Sequence, residues 1–351
     1  MIFIKKAPLS ASPFCGSLPQ KPSHKFLTRL WRYKKLLKLF IKNSYKISFG
    51  REGRMAKRGR KQKTRLWPLL LAALLLFGVW ENRSIQVEEF SYPSAALPEG
   101  LSGLRLVQLS DLHGAEFGRD NQRLLAAVRK AEPDLILVTG DLVDGDTAEP
   151  AAYAGRIGAA LSTIAPTYYV TGNHEWAMGT AVAESVKQAL RFSGVTVLSN
   201  EAVEVALTGP SGAEGTLILA GVDDPNAYAD QKTPEELAAE VYAQWGDPFW
   251  LLLAHRNSCF DGGYCRFGAD LTLCGHAHGG IWRLPFTDGL IDTRQQWFPS
   301  FTSGFYSCTD EGHPASVVFV SRGLGNSPRW ALRLFNRPQV AVITLEKDNA
   351  T

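Results

Sequence analysis

Apolar and polar positions alternate along this chain in two rhythms. Short runs that are apolar at nearly every position, Leu104–Leu109, Leu135–Val138 and Thr167–Val170, read as strands buried on both faces. Between and after them lie segments with apolar residues three and four apart. Asn121–Ala131, with Leu124, Leu125 and Val128 on one face, predicts a helix, as do Ala148–Ile164, Thr180–Phe192 and Pro234–Gln244. After Gly194 strand candidates crowd together: Val195–Leu198, Val203–Leu207, Thr216–Ala220, Phe249–Ala254, Leu271–Cys274, Val317–Val320 and Val340–Leu345. A further lead-in strand is expected within 81–99, where Val87, Phe90 and Tyr92 precede a turn from Pro93 to Pro98. This order of strands and helices predicts an α/β layered domain, and the density of strands in the second half predicts more than one sheet.

The first 65 residues follow neither rhythm. They hold 19 Lys/Arg and one acidic residue, Glu52, whereas residues 66–351 hold the other 19 Lys/Arg against 33 Asp/Glu. The formal charge of +4 is therefore the sum of a basic tail and an acidic body. At 45% hydrophobic and 21% charged residues, a disordered, collagen-like or disulfide-dense chain is excluded. The apolar run Leu66 to Trp80, uncharged and with Trp near both ends, is shorter than the ~20 residues of an ordinary spanning helix. It has the length of a signal sequence or signal anchor, and no small-residue cleavage site follows it, since Glu81-Asn82-Arg83 comes directly. The expectation is a retained single-pass anchor over 66–80 in the cell membrane, with the basic residues cytoplasmic and the remainder outside. Met55-Ala56-Lys57-Arg58 ahead of the run resembles a translation start, so residues 1–54 are expected to be untranslated. If they are made, their charge suits anionic lipid or nucleic acid. No specific nucleic-acid partner is expected of the remainder.

Candidate chemistry gathers at the ends of five strand-like runs. Leu106–Leu109 leads into Ser110-Asp111-Leu112-His113, and Leu135–Val138 into Gly140-Asp141-Leu142-Val143-Asp144. Tyr168–Val170 leads into Gly172-Asn173-His174-Glu175, Leu251–Ala254 into His255, and Leu271–Cys274 into Gly275-His276-Ala277-His278. Parallel strands would bring these ends to one crevice. Of seven histidines, five (113, 174, 255, 276 and 278) occupy such positions. Imidazole, carboxylate and amide donors suit Mn, Fe, Zn or Co better than Ca or Mg. The ligand number exceeds what one tetrahedral ion takes, so two divalent ions are expected, bridged by a carboxylate and able to share a hydroxide for in-line attack at phosphorus.

Asp-x-His, Gly-Asp-x-x-Asp, Gly-Asn-His-Glu, a lone His and Gly-His-x-His, in that order, resemble the calcineurin-like metallophosphoesterases over roughly Gly103 to Leu345. Gly279-Gly280, Leu284-Pro285-Phe286, Ser321–Gly325 and Arg333-Leu334-Phe335-Asn336-Arg337-Pro338 resemble a membrane-anchored branch related to UDP-2,3-diacylglucosamine pyrophosphatase. The resemblance implies a four-layer α/β/β/α sandwich over residues 100–346. It implies one metal on Asp111, His113 and His278, another on Asn173, His255 and His276, and Asp141 bridging both. His174 would assist the leaving group, and Asp144 would orient a ligand histidine or its loop from behind. Glu175 is either a surface or helix-start residue or a catalytic one, and Arg256 either a structural ion-pair partner or a phosphate contact.

Cys259 and Cys265 are close enough in sequence for a disulfide in an exported domain. The aromatic residues Trp297, Phe298, Phe301, Phe305 and Tyr306 suit either a lipid contact or a core loop. The function expected is a membrane-anchored, metal-dependent phosphodiesterase or pyrophosphatase acting on a phosphate ester, lipid-linked in one version. The alternatives are a soluble-nucleotide phosphodiesterase and a catalytically silent scaffold of the same fold. Oligomeric state is not legible from these residues.

Overall fold

The computed structural model describes residues 56–260, 263–284, 287–291, 296–308, 316–327 and 331–348. Residues 1–54, the tail expected to be untranslated, lie outside them. The first helix among the described residues, α1 (Ala56–Arg83), contains the apolar run 66–80. It crosses a boundary between two compact units, one ending at Phe77 and the other holding Gly78 onward. In the first unit Leu69, Leu71, Leu74, Leu75 and Leu76 are exposed. No helix among the described residues is long and apolar enough to cross a membrane.

In the second unit the chain runs through β1 (Gln86–Ser94), β2 (Arg105–Leu109), α2 (Gln122–Lys130), β3 (Leu135–Thr139), α3 (Pro150–Ser162) and β4 (Thr167–Val170). There follow α4 (Asn173–Ala177), α5 (Thr180–Phe192), β5 (Thr196–Val197), β6 (Glu201–Thr208), β7 (Glu214–Gly221) and α6 (Pro234–Trp245). The remainder is β8 (Trp250–Arg256), β9 (Leu271–Gly275), β10 (Trp282–Arg283), β11 (Gly289–Ile291), β12 (Gly304–Ser307), β13 (Val317–Val320) and β14 (Gln339–Lys347). Local chemistry explains several boundaries. Pro150 opens α3 at a position where its missing N–H costs nothing, and Thr233 caps α6 by accepting the Glu236 N–H at 3.2 Å.

Among the described residues two six-stranded sheets form, in the orders β1-β14-β2-β3-β4-β5 and β12-β13-β9-β8-β7-β6, with β10 and β11 as a separate pair. Strands β2, β3, β4 and β5 are parallel, as are β7, β8, β9 and β13. Alternation within each strand assigns its side chains to layers. Leu106, Leu135, Leu137, Leu251, Leu253, Leu271, Leu273 and Ile343 face a core between the sheets. Val107, Leu109, Ile136 and Val138 instead pack with Leu124, Val128, Ile157, Leu161, Val186 and Leu190 from α2, α3 and α5. On the far side Ile218, Trp250, Leu252 and Cys274 pack with Leu237 and Val241 from α6. The layers run helix, sheet, sheet, helix.

Two local expectations are corrected. The lead-in strand continues through Pro93 to Ser94 and pairs in parallel with β14, because an edge position needs no N–H from proline on its open side. The strand expected over 195–198 is only Thr196–Val197. Among the described residues a disulfide joins Cys265 to Cys308 (Cα–Cα 5.6 Å), a pairing across 43 positions that sequence proximity does not suggest.

Candidate active site

The carboxyl ends of β2, β3 and β4 from one sheet and of β8 and β9 from the other converge. Contacts across the sheets fix the junction. Gln108 donates to the Cys274 carbonyl at 3.0 Å, and the His276 N–H donates to both carboxylate oxygens of Asp111 at 3.1 Å. The backbones pack so closely that side chains are excluded at key points. A Cβ on Gly275 would stand 2.6 Å from Asp111 Oδ2, and one on Gly140, whose φ is +83°, would stand 2.6 Å from the Gly172 nitrogen.

Five of the expected ligands, Asp111, His113, Asp141, His276 and His278, have φ between 47° and 66°. Left-handed backbone at a non-glycine residue costs on the order of 1 kcal/mol or more, so the surrounding hydrogen bonds must hold these loops in place. Glu175 supplies three of them. Its Oε2 accepts the N–H groups of Asp141 (3.1 Å) and Gly172 (2.9 Å), and its Oε1 accepts that of Val143 (3.2 Å). It lies at the start of α4 with no exposure, so of the readings left open for it the helix-start position is observed and the surface one is not. Burial, with Asp141 adding to it, pushes this carboxyl up to about 7.

All seven expected ligands meet. His278 Nε2 lies 3.2 Å from His113 Nε2 and 3.5 Å from Asp111 Oδ1. His255 Nε2 lies 3.1 Å from Asp141 Oδ2, 3.2 Å from Asn173 Oδ1 and 3.2 Å from His276 Nδ1. Asp141 Oδ2 is also 3.8 Å from His113 Nε2, so this carboxylate stands between the two groups. Donor atoms of Asp111, His113 and His278, and of Asp141, His255 and His276, lie within 4.8 Å of one another in each set. Those of His113, Asp141 and His174 do so as well.

The donor set fits divalent transition metals. His255 gives its Nδ1 proton to the Thr139 carbonyl at 2.8 Å, which turns the Nε2 lone pair toward the cluster. Asp144 Oδ2 stands 3.6 Å from His113 Nδ1, behind the ring, and Asp144 Oδ1 is itself held by the Asp146 N–H and the Thr147 hydroxyl. Burial pushes His113 and His278 down to about 3, so both rings are neutral and their lone pairs are available. Burial also lifts Asp111, opposed by His255 and reinforced by Asp141. It acts the same way on Asp141, but His255, His113 and His174 together hold that carboxyl well below the usual range. Against burial, Asp141 lifts His255 to about 10. The carboxyl groups of Asp111 and Asp141 thus lie beside the neutral rings of His113 and His278, while His255 holds a proton against Asp141.

His174 differs from the others. Its side chain is 32% exposed, its Nε2 is 4.0 Å from Asp141 Oδ2, and its ring meets that of His113 edge to face at 4.7 Å. Arg256 makes a two-pronged pair with Asp224 (2.7 and 2.9 Å), the structural alternative of the two weighed for it. The aromatic residues divide: Phe305 packs against Phe90, Tyr92 and Phe319, whereas Trp297 is 64% exposed. Sequence reading missed Asn336, whose side chain donates to the His278 carbonyl at 2.7 Å. Its motif was visible, but its distance from the histidines along the chain hid the contact.

The calcineurin-like phosphoesterase family model matches residues 104–280. A "transmembrane protein with metallophosphoesterase domain" from Danio rerio is 31% identical over 297 residues, 82% of this chain. The alignment takes in 64% of that relative's own length. The uncharacterized metallophosphoesterase YkuE of Bacillus subtilis is 28% identical over 279 residues, covering 77% of this chain and 88% of the relative. Phosphodiesterase YaeI of Escherichia coli is 27% identical over 255 residues, covering 72% and 85%. With its family match spanning all five strand-end motifs, the chain belongs to the calcineurin-like phosphoesterases and is a metal-dependent phosphoester hydrolase.

Proposed function

We propose that the protein is a phosphodiesterase or pyrophosphatase that binds two divalent cations and cleaves a lipid-linked phosphate ester beside a membrane. The observation that carries the two-cation reading is the position of Asp141, between the Asp111, His113, His278 group and the Asn173, His255, His276 group. The cations, when bound, neutralise charge on the phosphoryl oxygens and lower the pKa of water. The chain's own residues arrange the rest. Thr139 and Asp144 orient His255 and His113 from behind, Glu175 fixes the Asp141 loop, and His174, at the exposed side, is placed to protonate the departing oxygen.

Diester rather than monoester cleavage is supported by the similarity to phosphodiesterase YaeI of Escherichia coli. Membrane attachment through 66–80, with the catalytic unit outside the cell membrane, is supported by the basic stretch before that segment and by its exposed leucines. The test is a hydrolysis panel with the metal-reconstituted full chain: bis-p-nitrophenyl phosphate, p-nitrophenyl phosphate, a soluble nucleoside diphosphate ester and a UDP-linked diacyl lipid in vesicles. Preference for the vesicle-borne lipid supports the proposal. Equal turnover of the soluble nucleotide ester removes the lipid link, and inactivity on all four with both cations bound indicates a silent scaffold.

A further inference from the structure

Soon after His278 the chain enters the β10–β11 pair, and two further segments extend it. Trp282 pairs with Ile291, Ile291 bridges to Trp297, and on the other side Trp282 bridges to Leu334. Residues paired across neighbouring strands point to one face, so Leu334, Trp282, Ile291 and Trp297 form a single cross-strand row. Alternation shows which face it is. Arg283, next to Trp282, turns its guanidinium inward to the Gly279 carbonyl (3.0 Å) and the Ser303 hydroxyl (2.9 Å), and Arg333, next to Leu334, is buried. Trp282 is 46% exposed and Trp297 64%, and exposed Leu332 lies beside them, its carbonyl accepting the Trp282 indole N–H at 3.0 Å. Two indoles and a leucine at such exposures present on the order of 300 Å² of apolar surface, the size at which a patch marks an interaction site.

The end of the apolar run 66–80 is fastened to this ribbon. Soon after Trp80, Asn82 Oδ1 accepts the Arg333 N–H at 2.8 Å, and Asn82 Nδ2 donates to the Arg333 carbonyl at 3.0 Å. Trp80 is itself exposed, with the Arg337 guanidinium 5.1 Å from its ring centre. A bilayer–water boundary selects tryptophan, an apolar ring with one N–H to satisfy. The ribbon is joined to the candidate active site as well: Asn336 Nδ2 donates to the carbonyls of His278 (2.7 Å) and of Ile281 (3.2 Å), the residue before Trp282.

We propose that the row Leu334, Trp282, Ile291 and Trp297 is a bilayer-docking face that seats the catalytic unit on the phospholipid surface at headgroup level. Phospholipid is the occupant because the row is tied to the end of a leucine-rich run and carries no charged side chain. The inference rests on reading 66–80 as a membrane anchor. Docked in this way, the His278 loop stands beside the headgroups, where a lipid-linked ester presents its phosphate.

The test is photo-crosslinking of the full chain reconstituted in phosphatidylcholine vesicles, with p-benzoylphenylalanine placed in turn at Trp297, Leu332, Leu75 and Phe192. Leu75 lies in the apolar run, and Phe192, exposed at the end of α5, is the apolar surface control. After irradiation, mass spectrometry reads whether the labelled peptide has gained the mass of a phospholipid. The expected result is a lipid adduct at Trp297, Leu332 and Leu75 and none at Phe192. An adduct at Leu75 with none at Trp297 and Leu332 overturns the docking face and leaves the anchor standing. Crosslinks from Trp297 to a second copy of the chain, or lipid adducts equally abundant at Phe192, also overturn it. No adduct at any of the four positions overturns the anchor reading and this inference with it. Should the chain substituted at Trp297 fail to fold, Leu332 decides by the same outcomes.

Discussion

Glu175 accepts the backbone N–H of Asp141 at 3.1 Å, so a carboxylate with no solvent exposure fixes the loop of the residue that stands between both ligand groups. Its three N–H partners come from the loops after β3 and β4, two strands paired in parallel register. Removing the side chain leaves three buried donors without that acceptor, at about 1–3 kcal/mol each. Glu175→Ala is therefore expected to lose at least about 3 kcal/mol of stability, and Glu175→Gln, which keeps one acceptor oxygen, about half as much. Urea unfolding of both variants checks this; a Glu175→Ala protein within about 0.5 kcal/mol of wild type would show that the loops are held by other contacts.

His174, with 32% of its side chain exposed, is the histidine of the cluster for which a proton-donor role is argued. His174→Ala is expected to lower kcat by roughly 100-fold to 10,000-fold while both cations remain bound. Steady-state kinetics together with metal analysis separate the possibilities. Loss of a cation in this variant would make His174 a ligand alongside His113 and Asp141, the third grouping the geometry allows.

Cation uptake is expected to release a proton. In the metal-free protein Asp141 lifts His255 to about 10, so below that pH the ring holds a proton that a cation must displace. Apparent affinity should then rise up to about tenfold per pH unit between pH 6 and 8, with one proton released from this group. His113 and His278, at about 3, contribute none in that range. Titration in buffers of different ionisation enthalpy measures the number directly; uptake without proton release refutes it. A chelator should abolish hydrolysis, and Asp141→Ala should do so irreversibly while the fold persists.

Asp270 offers a pH effect away from the site. Burial pushes its carboxyl up to about 6, although it accepts the Trp250 N–H at 2.9 Å. A carboxyl whose folded pKa is raised binds its proton more tightly in the folded state. Its stabilising contribution is complete below the unfolded value near 3.8 and is lost as pH rises through about 6. Asp270→Asn is expected to remove that loss, so the stability difference between variant and wild type should grow in favour of the variant from pH 4 to 6.5. A pH-independent difference in chemical denaturation would contradict this.

Much of the molecule was legible in local pattern. Runs such as Leu135–Val138 are apolar at every position because both faces of their sheet are covered, and the helix over 180–192 follows from its apolar spacing. The ligand-type residues stood out because each follows such a run. The pairing of Cys265 with Cys308, the parallel addition of β1 beside β14 and the split of the aromatic residues were not legible. Each depends on which segments pack together, and local hydropathy carries no information about that choice.

The same division runs through the site itself. Sequence alone determined which side chains could bind cations, since imidazole, carboxylate and amide donors are properties of residue type and position after a strand. Only the tertiary structure decided that Asp111 and the His276 backbone, 165 positions apart, meet. It also decided that five ligands adopt left-handed backbone, that Glu175 faces inward, and that Asn82 reaches Arg333. These are long-range contacts in which burial and hydrogen bonding override local preference, and they exist only once the two sheets have closed on their common core.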